Sequence, residues 1–149
     1  MVSYSLIRSE RRDGPQSKWR LFDFDQTHLV VVVASFELPA GWRVGGRMRA
    51  STGYPRTPIS GATFDARSDT FQPTRSEHNS DRLPPFFQLD ARVEKTGKLG
   101  GITWSAYLDV INLTNQPNPE EVTYSYDYQQ RKYLTGLPLL GVLGTRVEL

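Results

Sequence analysis

The chain has 149 residues, enough for one domain, and its 18 Lys and Arg stand against 16 Asp and Glu, a balance too even to argue for nucleic acid. It has no cysteine, which excludes a disulfide scaffold and a thiolate metal site. Its longest apolar run, Leu29 to Ala34, is strand-sized and far short of the ~18 residues of a membrane helix, and Met1 leads at once into strand-like sequence with no export-signal pattern.

Alternation with a period of two recurs along the chain, and no segment carries a helical period. The first strand is expected over Val2 to Ser9, with Val2, Tyr4 and Leu6 on one face. A polar stretch follows. The second spans Gln26 to Leu38, where His28, Val30, Val32, Ala34 and Phe36 share a face; the other face mixes Thr27, Ser35 and Glu37 with Leu29, Val31 and Val33. After Pro39-Ala40-Gly41 comes a third strand, Trp42 to Ser51, in which Arg43, Arg47 and Arg49 alternate with Trp42, Val44, Met48 and Ala50.

The next loop, Thr52 to Pro85, is long and holds TFDARSDTF, which reads as a small hairpin. The fourth strand, Phe86 to Lys95, puts Phe87, Leu89, Ala91 and Val93 opposite Gln88, Asp90, Arg92 and Glu94. A connection over Thr96 to Gly101 leads to the fifth, Ile102 to Asn112, with Trp104 on the apolar face and Asp109 on the polar one. Leu113 to Gly136 is a third long loop. The last strand, Leu139 to Leu149, places Arg146 and Glu148 on the polar parity.

Three features exceed a generic all-β pattern. The strands run about 9–11 residues, the length of a tilted membrane strand. Connections alternate between long and short, which gathers the long loops at one end of an up-and-down sheet. The polar face carries charges of both signs in mid-strand, and the apolar face almost none. The expected fold is all-β, a partial transmembrane antiparallel β-barrel of about six up-and-down strands belonging to a larger barrel. Its charged wall of Arg43, Arg47, Arg49, Asp90, Arg92, Glu94, Asp109, Arg146 and Glu148 would face the lumen. Tyr4, Phe36, Trp42 and Trp104 would form part of an aromatic girdle at the short-turn rim. A soluble β-sandwich that recognises ligands with its long loops is the alternative, and it would need the apolar face covered by a second sheet.

Catalytic and metal-binding patterns are weak. Asp23, Asp25 and His28 are metal-ligand types, but Asp25 and His28 have opposite parity on an extended strand and would point apart. His78, near Glu77 and Asp81, has no nucleophile pattern beside it. Asn112-Leu113-Thr114 is formally a glycosylation sequon. No catalytic set, cofactor motif or metal site is expected.

Four stretches carry a resemblance to a known family. FDFDQTHLVVVVASFELPAGWRVGGRMRASTGYPRTPISGATFD, RLPPFFQLDARVEK, YLDVINLTNQPNPEE and LPLLGVLGTRVEL resemble, in that order, late strands and the closing strand of the TonB-dependent outer-membrane receptors. The resemblance implies that residues 1–149 are the C-terminal segment of such a barrel, with the plug domain and earlier strands absent. It implies a place in the outer membrane of a Gram-negative bacterium and energy-coupled uptake of a scarce nutrient such as a ferric siderophore. The implied partners are outer-membrane lipid, the plug and remaining strands, TonB through the missing N-terminal region, and the barrel assembly machinery through the last strand. Family members end in an aromatic residue, where this chain has Leu149. On this reading the charged wall grips the plug or guides an anionic substrate, the bland reading being ion pairs between neighbouring strands. The tyrosine-rich YSYDYQQRKY loop would meet ligand or pack on itself.

Overall fold

The alternating segments pair as strands in a computed structural model that describes residues 1–148. In chain order the strands are β1 (Val2–Leu6), β2 (Glu10–Arg11), β3 (Arg20–Leu21), β4 (His28–Leu38), β5 (Trp42–Ser51), β6 (Pro55–Arg56) and β7 (Ile59–Asp65). They continue with β8 (Thr70–Arg75), β9 (Asp81–Arg82), β10 (Phe86–Leu99), β11 (Ile102–Ile111), β12 (Pro119–Tyr124), β13 (Arg131–Thr135) and β14 (Leu140–Glu148). The protein is all-β. Six strands form one antiparallel sheet in the order β1-β4-β5-β10-β11-β14, and the remaining strands make two-stranded ribbons within the long loops.

Pairing carries the parity of each strand to the next. Tyr4 lies opposite Val30, Val32 opposite Met48, Val44 opposite Val93 and Leu108 opposite Leu143, so one apolar face runs across all six strands. Nothing covers it among the described residues. Phe36 is 66% exposed and Leu143 is 79% exposed, while Val122, in a loop ribbon, is the one buried hydrophobic residue among those described. The accessible surface of 10893 Å² exceeds the roughly 7,700 Å² expected of a compact monomer of this mass. An open sheet with an unburied face accounts for the excess. No second sheet lies against the apolar face, and β1 and β14 do not pair with each other, so the described sheet is neither a sandwich nor a closed barrel.

Several boundaries differ from the sequence reading. The fourth strand continues past Lys95 to Leu99, because Gly100 and Gly101 (φ of 56° and 88°) make the connection in two residues. Positive φ at both central positions is the primed turn that matches strand twist, so Thr96 to Gly101 is mostly strand. The hairpin around TFDARSDTF is longer than expected, with β7 and β8 pairing from Ile59↔Arg75 to Asp65↔Thr70. The ribbons β2–β3, β6–β9 and β12–β13 are additional. Leu149, where the chain departs from the aromatic ending of the family it resembles, lies outside the described residues.

The first strand also requires correction. It stops at Leu6 rather than Ser9 and pairs only with the first half of β4, from Leu6↔His28 to Val2↔Val32, with the Met1 ammonium donating to the Val33 carbonyl (2.8 Å). This register puts Tyr4 six residues along β4 from Phe36. Tyr4 therefore sits at the long-loop rim, where its hydroxyl meets His28 Nδ1 (2.9 Å), and not with Phe36, Trp42 and Trp104 towards the short-turn end.

The pairing is staggered at β10 and at β1 in the same sense, while β4–β5 and β11–β14 do not add to it. At the long-loop end β10 pairs with β5 from Phe86 but with β11 only from Ala91; at the other end its pairing with β5 stops at Lys95 and that with β11 runs to Leu99. The short start of β1 continues the same drift. Strands that tilt against a common axis have this outline, and closing a sheet into a barrel requires it.

Candidate functional site

Three arginines at alternate positions of β5 fall on one face because successive strand residues point to opposite sides. Each then meets the strand beside it. The Arg43 guanidinium donates to Glu37 on β4 (2.8 Å), and Arg47 donates to Asp90 on β10 (2.7 Å). Arg92 bridges Asp109 on β11 (3.0 Å) and Glu94 on its own strand (3.3 Å), and its guanidinium lies 4.0 Å from the centre of the Tyr107 ring. Arg146 and Glu148 pair along β14 at 3.5 Å. The structure thus gathers all nine charged residues expected on this wall, eight of them in ion pairs. Arg49 is the exception; its guanidinium stacks on Phe86 at 4.4 Å. The wall is close to neutral, and its pairs are exposed, each worth about 0–1 kcal/mol. Such a lattice holds side chains in place more than it attracts an anion.

The four aromatic residues expected outside are on the opposite, apolar face. Trp104 lies over Gly97, where a Cβ would come within 2.6 Å of the indole, and Lys95 sits beside Trp42 with its ammonium 5.1 Å from the ring centre. The Lys95 head also reaches the Ala40 carbonyl at the turn. A cation snorkelling to the rim while its stem stays on the apolar face is how such a residue meets a boundary between apolar and wet surroundings.

At the long-loop end, polar side chains hold the loops to the sheet. The buried Asp25 carboxylate accepts from the Ser9 N–H (2.7 Å), the Thr27 hydroxyl (2.9 Å) and the Arg82 guanidinium. Arg82 also donates to the carbonyls of Asp25 (3.1 Å) and Gly53 (3.0 Å). Burial pushes the Asp25 carboxyl up, but the bonds from Arg82, Ser9 and Thr27 together outweigh it and hold the group below the usual carboxylate range. Asp23 is held low chiefly by the Asn79 amide (2.6 Å), with His78 adding to it. Asp23, Asp25 and His28 consequently have three separate sets of partners and do not converge on a point.

Two asparagines act as pieces of backbone. The Asn118 side chain accepts from the Phe87 N–H (2.9 Å) and donates to its carbonyl (2.8 Å), completing β10 where β11 has ended. The buried Asn112 amide donates to the carbonyls of Gln116 (3.0 Å) and Leu137 (3.1 Å), and its oxygen accepts from the Gln116 N–H (3.0 Å). The Asn112 of the formal sequon is thus fully engaged. In the tyrosine-rich loop, the Tyr124 hydroxyl accepts from Arg56 (3.1 Å), Tyr126 donates to the Asp69 carbonyl, and the Phe71 and Tyr126 rings meet edge to face at 5.5 Å. These tyrosines pack the ribbons on one another.

Beneath the loops, the charged face opens into a cavity of about 580 Å³ that includes Leu29, Val31, Arg49, Phe86 and Glu120. Sequence reasoning missed it, as it missed the Asp25–Arg82 clasp and the Asn118 bridge. One trace was visible: Leu29 and Val31 break the alternation of β4, and both line this cavity. Comparison with protein-family models, curated proteins and solved structures finds no match to this chain.

Proposed function

We propose that this chain is the C-terminal part of a transmembrane barrel of the TonB-dependent receptor class in the outer membrane of a Gram-negative bacterium. The whole protein would take up a scarce nutrient, a ferric siderophore or a compound like it. The observation that carries this reading is the six-stranded sheet with one exposed apolar face and one ion-paired face. A protein in water has no use for such a face uncovered, whereas lipid solvates it. The one-way stagger, the segregation of long loops at one end and the resemblance of four ordered sequence stretches support the same reading.

In this reading the chain holds no catalytic residue. The open edges of β1 and β14 are completed by the remaining strands, and the ion-paired wall packs against a plug domain through which TonB supplies the energy. The barrel assembly machinery reads the last strand. Trp42 and Trp104 contact lipid, whereas Trp19, exposed in the first loop, does not. The test is fluorescence of the chain refolded into vesicles of brominated lipid. Strong quenching of Trp42 and Trp104, isolated in a W19F background, with little quenching of Trp19 in a W42F/W104F background, supports insertion. Equal or absent quenching removes the membrane reading.

A further inference from the structure

The ion-paired face is charged over most of its length but turns apolar at the long-loop end. Leu29 and Val31 occupy its parity on β4, and Phe86, which begins β10, lies level with Leu29 on the far side of Ser51 of β5. Arg49, at the edge of this patch, is the one guanidinium of the wall with no carboxylate partner among the described residues. Its stacking on Phe86 occupies the flat face of the group and leaves the N–H edge free to donate.

The same cavity is lined by a carboxylate with no cation partner among the described residues. Pro119 pairs with Thr135 and Glu121 with Leu134, so Glu120 is the extra residue of a bulge in β12, and a bulge re-aims its side chain out of the ribbon. Glu120 reaches into the same cavity as Arg49. Its carboxylate rests against Gly136, where a Cβ would stand 2.4 Å from Oε1.

Two unpaired charges of opposite sign around an apolar space of about 580 Å³, a size suited to small ligands, are complementary to a zwitterion with an apolar body. We propose that this cavity binds a short apolar peptide, its terminal carboxylate on Arg49, its terminal ammonium on Glu120 and its side chains against Leu29, Val31 and Phe86. The site needs only the sheet and the loop ribbons, so it does not rest on the membrane reading.

The test is calorimetric titration of the full chain in detergent micelles with leucyl-leucine, its C-terminal amide and its N-acetyl form. Free leucyl-leucine should bind about tenfold more tightly than either blocked form, the scale of one charge-assisted bond. R49Q should erase the advantage over the amide alone, and E120Q the advantage over the acetylated form alone. G136A should act like E120Q, because the new methyl displaces the carboxylate. Near-UV circular dichroism establishes that each variant is folded. Equal affinity for the three ligands, no binding of leucyl-leucine by the folded chain, or variants that weaken all three ligands alike would each overturn the proposal. Lipid quenching of Trp42 and Trp104 without peptide binding removes this site only; peptide binding by a chain that is soluble without detergent removes the membrane reading only.

Discussion

Replacing Asp25 with Asn tests the clasp that joins the first two long loops. The variant keeps Oδ1, which accepts from Thr27 and Arg82, and exchanges Oδ2 for an amide nitrogen. That nitrogen would face the Ser9 N–H, which donates to Oδ2 over 2.7 Å, so donor meets donor in a buried site. Breaking a buried ion pair costs about 3–5 kcal/mol, and a buried donor without a partner about 1–3 kcal/mol. Arg82 keeps the Asp25 and Gly53 carbonyls, which places the expected loss at the lower end, about 3 kcal/mol. Because Asp25 ties loop to loop, the loss should emerge as local opening. Hydrogen exchange at the Ser9 amide, and at Phe22, which donates to the Ser9 carbonyl (3.0 Å), should accelerate about 100-fold. Amides of β5 and β10 should not change. Unchanged exchange at Ser9, or uniform acceleration across the sheet, would refute the reasoning.

The same clasp sets a pH dependence. The Asp25 carboxyl is held below its ordinary value of 3.8 in the folded chain, so its stabilisation is fully present above that value and is lost as pH falls through the lower folded one; the protection of the Ser9 amide, relative to its intrinsic exchange rate at each pH, should hold at pH 5 and fall only below about pH 4. Asn118→Ala removes both partners of the Phe87 backbone and should cost about 2–3 kcal/mol, read as a lower urea midpoint. In Gly144→Ala the new Cβ would come within 2.3 Å of the Tyr107 ring. The ring must leave, and with it the stack on Arg92, so the near-UV signal should change and stability fall by about 1–3 kcal/mol.

How much of this was legible depended on the range of the interaction. Parity is set by nearest neighbours, so the Arg43, Arg47 and Arg49 face and its partners Asp90, Arg92, Glu94 and Asp109 could be read directly from alternation. Strand order followed from the alternation of loop lengths. The height of Tyr4 could not be read that way, because register between β1 and β4 is fixed by the Met1–Val33 contact and by where β1 stops. Gly100-Gly101 carried a recognisable turn signal, yet the polar Thr96 and Lys98 disguised the strand before it. Asp25 with Arg82, and Asn118 with Phe87, join residues 57 and 31 positions apart, and no local pattern encodes such pairs. The blurred parity at Leu29 and Val31 marks where the cavity lies, but the loops that close over it are contributed by residues distant in sequence.

The ribbons inside the long loops have a consequence for the order of folding. From Ser51 to Phe86 the chain makes a wide excursion, and closing so long a flexible loop before any contact repays it is slow. Here the excursion is nested: β7 pairs with β8 around a short turn, β6 with β9 outside them, and β5 with β10 outside those. Each closure leaves only a few residues for the next to bridge. The excursions from β1 to β4 and from β11 to β14 enclose β2–β3 and β12–β13 in the same manner. Every neighbouring pair in the large sheet is therefore a hairpin that can zip from its own tip, and pairings distant in sequence become a succession of short closures.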